Sequence, residues 1–445
     1  MANELRSILA AVAVPILIPL KNNRRAVALL FTANAISGFA QGITMLAVPW
    51  FFARQNASST FNLLYGLVTF ASLFWGMYAG ALVDRFDRKR VFLASNMVEG
   101  AVLLGVASYG FATGGVPLGG ILLAFTTTVF GYGIHYPNLY AFAQEISLPK
   151  DYPRITSAIE IVGQATSVVS GALAALLLEG LPVGQTYTLF GAQLELPFSL
   201  QAWPLHQIFL LDGITYAVAV GLIAFIRHQP VIQTQVELGS LWKRLRTGVT
   251  YLQEHRAVWV FGLFSFSVFV GLLVSLNALM PLYVHNHLKA GAAVFGAAEV
   301  AYAVGALSAG LFVRRVFLRH PTLRSVIVLM MIAGVSFGVA AATRSVGLFL
   351  AFSLVLGFTN AGTRILRVSY LFVHVPNEVI GRVNSIFNVV NVLLRTGFIL
   401  LFSLRFFTLG SNIAWGYALL GGFIVASAAV LLVRYRELSA TPVPA

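Results

Sequence analysis

The chain has 445 residues, 58% of them hydrophobic and only 10% charged, with a formal net charge of +14 and no cysteine. A water-soluble domain needs about 25% charged residues to dress its surface, so these totals describe a polytopic membrane protein. The positive charge does not read as a nucleic-acid surface, because Lys and Arg sit in loops between apolar runs and not along one stripe. The missing cysteines exclude disulfides, thiol catalysis and Cys-ligated metals.

Residues 1–25 come first. Ile8 to Leu20 is apolar, too short to span and interrupted by Pro15 and Pro19, with no small-residue cleavage site after it. An interfacial or cytoplasmic segment is expected there. Apolar runs of spanning length follow at 26–53, 61–83, 91–112, 119–143, 155–179 and 207–227. Six more lie at 257–285, 291–315, 323–343, 347–374, 383–405 and 412–433. The predicted fold is all-α and polytopic, with an N-terminal six-helix bundle over 26–227 and a C-terminal one over 257–434. A cytoplasmic linker, 228–256, joins them, and its Leu241–Leu252 part places apolar and basic residues at helical spacing, as an amphipathic surface helix does. Residues 435–445 form a tail.

The loops on one side carry only Arg54, Lys289, Arg344 and Arg405. Every other loop or terminal Lys and Arg falls on the opposite side, so by the positive-inside rule both termini are expected in the cytoplasm. The two sets of six echo each other. Gly66 and Gly80 recur at the same spacing as Gly296 and Gly310, and Ala47-Val-Pro49-Trp-Phe returns as Leu279-Met-Pro281-Leu-Tyr. Pro149-Lys-Asp151 with Arg154 returns as Pro376-Asn-Glu378 with Arg382. Two bundles related by an axis along the membrane normal follow, and bundles that rock about a central cavity give alternating access.

Six charges occupy seven residues between the second and third spans, in Gly80-Ala-Leu-Val-Asp84-Arg85-Phe-Asp87-Arg88-Lys89-Arg90. This loop resembles the signature G-x-x-x-D-R-x-G-R-[KR]-[KR] of the major facilitator superfamily, with Asp87 where the family usually has glycine. Together with Leu148-Pro149-Lys-Asp151 and Val375-Pro376-Asn-Glu378-Val-Ile-Gly381-Arg382, it is similar to the bacterial branch that holds enterobactin exporters and macrolide efflux proteins. The resemblance implies a secondary active exporter of a mid-sized organic substrate in the bacterial inner membrane, monomeric, surrounded by lipid, without cofactor or metal and not an enzyme. It also implies a conformational switch built from Gly80, Asp84, Arg85, Arg88, Arg90, Glu145 and Arg382. In it Asp84 caps the start of the eleventh span in one state, while Arg85 or Arg88 pairs with Glu145. A lipid flippase and a facilitator importing a small solute stay open as alternatives.

Ionisable residues inside spans cost roughly 2.5–3.5 kcal/mol each at mid-bilayer, so each needs a partner or a wet cavity. Gln41, His135, Tyr136, Asn277, Asn360, Arg364, Arg367, Asn391 and Arg395 are the candidate cavity residues. Arg364 and Arg367, three apart, share a helix face, and bracing against helix-end carbonyls or Glu160 is their alternative role. Glu99, Glu160 and Glu299 are the proton-coupling candidates, since a carboxylate taken out of water favours its protonated form. Asp212 is expected at the interface. Gln41 stands where the branch often has Asp, and Val169-Ser-Gly-Ala lacks the proline usual in antiporters, which leaves proton antiport open. The arginines make one cavity wall electropositive, so the expected substrate carries anionic or electron-rich oxygens.

Overall fold

The computed structural model describes residues 24–148, 151–180, 186–189, 192–195, 199–227, 241–317 and 321–439. The expected N-terminal segment up to residue 23, the linker stretch 228–240 and the tail from 440 lie outside them. The long helices are α1 (Arg24–Arg54), α2 (Ser58–Arg85), α3 (Arg88–Thr113), α4 (Leu118–Glu145), α5 (Tyr152–Glu179) and α6 (Leu205–Ala224). They continue with α7 (Arg256–His287), α8 (Ala292–Phe317), α9 (Thr322–Ala342), α10 (Val346–His374), α11 (Asn377–Phe402) and α12 (Ile413–Val433). Among the described residues eleven of these are long and apolar enough to cross a membrane, and α2 is a further helix of 28 residues. Leu241–Glu254 is the linker helix.

Boundaries follow local chemistry. Asp87 caps α3, its Oδ1 accepting from the Arg90 N–H at 2.8 Å. Ser345 caps α10 by accepting from Leu348 N–H, and prolines 117, 321 and 376 stand just before α4, α9 and α11, where a missing N–H costs nothing. Gly114 ends α3 with φ of 77°, a left-handed C-cap that favours glycine. The loop after α5 contains a short antiparallel hairpin, Thr186–Leu189 with Ala192–Glu195, which the apolar-run pattern does not signal.

Contacts divide the chain into two compact units: residues 1–42, 75–167 and 206–236, and residues 43–74, 168–205 and 237–445. Helices α1, α2 and α5 therefore contribute one part to each. The core of the first unit gathers Leu30 and Ala33 of α1, Phe92 of α3, Leu139 and Phe142 of α4, Ile155 and Ile159 of α5, and Ala219 and Ile223 of α6. Trp75 of α2 stacks on Phe130 of α4 and donates its indole N–H to the Phe130 carbonyl at 2.8 Å.

In the second unit α8 lies directly on α10. Gly305 meets the Leu354 carbonyl and Gly357 the Tyr302 carbonyl so closely that neither site has room for a Cβ. Tyr283, Phe337, Phe349, Phe352 and Tyr417 form an aromatic cluster joining α7, α9, α10 and α12, and the Tyr283 hydroxyl donates to the Ala340 and Thr343 carbonyls. Helix α7 is not regular. It widens into π turns at Ser275–Leu279 and Tyr283–His287, either side of Pro281, which has no N–H for the ladder.

Candidate functional site

The charged loop and the ends of its own unit's helices form one cluster. Arg88 Nη1 lies 3.7 Å from Glu145 Oε2 and donates to the Ala141 carbonyl at 2.8 Å. Asn138 of α4 donates to the Arg88 carbonyl at 2.9 Å, and Lys89 Nζ donates to the carbonyls of Ala224 and Ile226 at the end of α6. A cation on carbonyls at a helix C-terminus is favoured by the macrodipole. Arg85 and Arg90 are exposed, Arg85 with its guanidinium 5.7 Å from the Phe86 ring. Gly80 has open space where a side chain would project. Asp84 belongs to the last turn of α2, and its side chain lies outside the described residues. Arg382 is on α11, and its carbonyl faces Gly248 of the linker helix too closely for a larger residue to fit without a shift.

Inside the first unit the polar residues are paired with one another. His135 Nε2 is 2.8 Å from Asn34 Oδ1, with Phe92 edge-on to the imidazole. The Tyr140 hydroxyl donates to Glu160 at 2.7 Å and the Tyr216 hydroxyl to Glu99 at 2.7 Å. The Glu99 carboxylate fills the space over Gly131 of α4, which only glycine leaves free. Gln41 is buried, while Tyr136 is 42% exposed and stacks on Tyr132. Asp212, expected at the interface, is instead fully buried in α6: it sits one turn before Tyr216, on the side of α6 that packs against α3.

The arginines of the second unit separate. Arg367 is buried, donates from Nη1 to the Ser265 carbonyl at 3.2 Å and sits 3.6 Å over the Phe266 ring, where the helical ladder of α7 is interrupted. Its charge is committed to α7 by a carbonyl and a cation–π contact. Arg364 is exposed and engaged with its surroundings. Asn277 donates to the Tyr65 hydroxyl at 3.3 Å and Asn360 to that of Tyr302 at 3.0 Å. Glu299 is buried beside the Gly171–Gly296 crossing of α5 and α8. Asn391 and Arg395, one turn apart on α11, are different. Asn391 Nδ2 and Arg395 Nε are buried and have no hydrogen-bond partner among the described residues, and the hydroxyls of Thr396, next to Arg395 on α11, and of Thr363 on α10 share that condition.

Three features escaped the sequence reading. Asn62 of α2, fully buried, donates to both the Ala278 carbonyl in the π turn of α7 and the Phe402 carbonyl at the end of α11. Ser59 donates to Ser403 at 2.5 Å. Glu179, the last residue of α5, accepts from the Ala292 and Ala293 N–H groups at the start of α8. A lone Asn in an otherwise apolar run, and the helix-breaking Pro281, were the available signals; no one-dimensional pattern pairs Glu179 with a helix start more than a hundred residues away.

The chain belongs to the Major Facilitator Superfamily, whose profile matches residues 30–397. Its architecture is the superfamily's: twelve membrane-spanning helices in two six-helix bundles. It is 20% identical over 288 residues to macrolide efflux protein A of Streptococcus pyogenes, covering 63% of this chain and 64% of that protein. It is 23% identical over 228 residues to the multidrug efflux pump Tap of Mycobacterium bovis, covering 48% of this chain and 54% of the pump. In both cases the match spans less than two thirds of the relative's length. The crystal structure of the POT family transporter PepTSo superposes with a TM-score of 0.71 at 12% identity, covering 94% of this chain and 99% of that one, a likeness of fold.

Proposed function

We propose that the protein is a secondary active exporter that works by alternating access and moves a mid-sized organic molecule bearing anionic or strongly electron-rich oxygens. The observation that carries this is the pair of buried, unpartnered donors on α11, Asn391 Nδ2 and Arg395 Nε. A buried donor without an acceptor costs about 1–3 kcal/mol, more when charged, and an incoming oxygen removes that cost. Efflux as the direction is supported by the macrolide and multidrug exporters to which the chain is similar. The six-helix bundles are assigned to 26–227 and 257–434, joined by the 228–256 linker. Both termini are assigned to the cytoplasmic side of the plasma membrane from the distribution of basic loops. Glu99 and Glu299, the two buried carboxylates of the proton-coupling candidates, are the residues through which proton exchange would run, Glu99 with the Tyr216 hydroxyl as its partner; Glu160 is only half-buried.

Flux in proteoliposomes tests the reading. Purified protein should move a catecholate or carboxylate-bearing solute against a neutral control, and an ethidium-like cation should move poorly. Tight binding and transport of the cation, with no movement of the anionic solute, would sink it.

A further inference from the structure

We infer that Glu179 is a latch that holds the α5–α8 junction closed, and so sets how much of the protein occupies the conformation in which the ends of these two helices meet. The proposal rests on the alternating-access reading and adds the residue that biases its equilibrium. Both carboxylate oxygens of Glu179 are used: one accepts from Ala292 N–H, the other from Ala293 N–H at 3.3 Å. These are among the first N–H groups of α8, which have no carbonyl of their own helix to bond. A negative charge there is favoured by the helix macrodipole as well as by the two bonds.

The surroundings are shaped for this contact. Gly291, immediately before α8, occupies a position where any Cβ would collide with the Glu179 carboxylate. About two turns back along α5, Gly171 faces Gly296 so closely that the backbones touch, the Gly171 Cβ position lying 3.1 Å from the Gly296 carbonyl oxygen. Ala175, between them, offers only a methyl group to Gly296. Small residues let α5 and α8 touch along their length, and Glu179 closes the end. In this structure both helix ends lie in one compact unit, but the bundle assignment proposed above puts α5 and α8 in different bundles, so under alternating access the contact exists only while those helix ends are together. A bond made in one conformation and not the other shifts the equilibrium by its own strength. An ordinary cap within one rigid piece would not.

The test uses the cysteine-free full-length chain with spin labels on Gln201→Cys and Arg344→Cys, two exposed positions near the ends of α5 and α9. Pulsed distance measurements in liposomes should show a dominant short distance in the parent. Glu179→Gln keeps the size and loses the charge, and should raise the ratio of long to short distances by about three- to tenfold. Gly291→Ala keeps the carboxylate but displaces it, and should move the distribution the same way; it also serves if Glu179→Gln folds poorly. Unchanged distributions in the folded variants would overturn the latch, as would a lowered melting temperature with no change in distance, which marks a plain structural cap. No substrate is needed, so a protein that fails to transport the anionic solute still reports on the latch.

Discussion

Helices α4 and α11 both carry polar side chains through apolar surroundings and treat them in opposite ways. On α4, His135 meets Asn34, Tyr140 meets Glu160 and Asn138 donates to the Arg88 carbonyl, so each donor has its acceptor inside one unit. Among the described residues, carbonyl oxygens stay unbonded there and on neighbouring α3, at Asn138 and Asn96. On α11 nitrogens stay unbonded among the described residues, at Asn391 and Arg395, beside the Thr396 hydroxyl. Carbonyl oxygens tolerate partial satisfaction better than donors do, since each has two lone pairs and can weakly share a neighbour. A buried N–H without an acceptor is rarer and calls for a ligand. The contrast separates polar groups that hold the protein together from polar groups held in reserve for something that arrives.

Substitutions can break that distinction. The largest effect is expected at Arg395: Arg395→Gln should weaken binding of an anionic solute by more than tenfold in a detergent titration, since a buried charged hydrogen bond is worth about 1.5–3 kcal/mol. Unaltered affinity would return Arg395 to a structural role. Next comes Asn34→Ala, which strands His135 and should lower stability by about 1–3 kcal/mol, read as a fall in melting temperature, with solute affinity little changed. Asn391→Ala should do the reverse. It removes a donor that had no partner, so the unliganded protein should melt no lower than the parent while affinity falls by about fivefold, near 1 kcal/mol. A drop in melting temperature without loss of affinity would mean that Asn391 is bonded in the folded protein after all. The smallest effect is expected at Glu145→Gln, because Arg88 is part-exposed and keeps its bond to Ala141; about 1 kcal/mol or less of stability should go, measured in the same melts.

Much of the architecture was legible in one dimension. Apart from the start of α11, which begins well before its run at Asn377, the ends of α1 to α12 fall within a few residues of the apolar runs, because a bilayer demands about 20 apolar residues per span and the caps at Asp87, Ser345 and the prolines before α4, α9 and α11 are local. The candidate site was legible only in kind. Arg364 and Arg367 read as a pair on one face, yet a rotation of 60° about α10 separates an exposed guanidinium from one buried on Phe266. Asp212 read as interfacial from its distance to the end of the run, whereas close packing of α3 on α6 at Gly100 and Gly213 buries it. Pro49 and Pro281 stand in matching segments of the internal repeat, but α1 passes its proline as a continuous α-helix while α7 opens π turns around its own. Asn62 meets one of the carbonyls in that widened stretch.

The sequence by itself determined that this is a membrane protein of twelve spans with an internal repeat, and that its basic residues gather in alternate loops. Those properties depend on composition, run length and charge position, all of which act residue by residue along the chain. Tertiary structure alone decided which polar groups are consumed and which are left over. Arg367 is spent on α7, Glu99 on Tyr216, and Glu179 on the start of α8, whereas Asn391 and Arg395 keep unbonded donors. A hydrogen bond is satisfied or not within about 3 Å and a narrow cone of angles. That information belongs to how helices far apart in sequence are packed, and no single helix carries it.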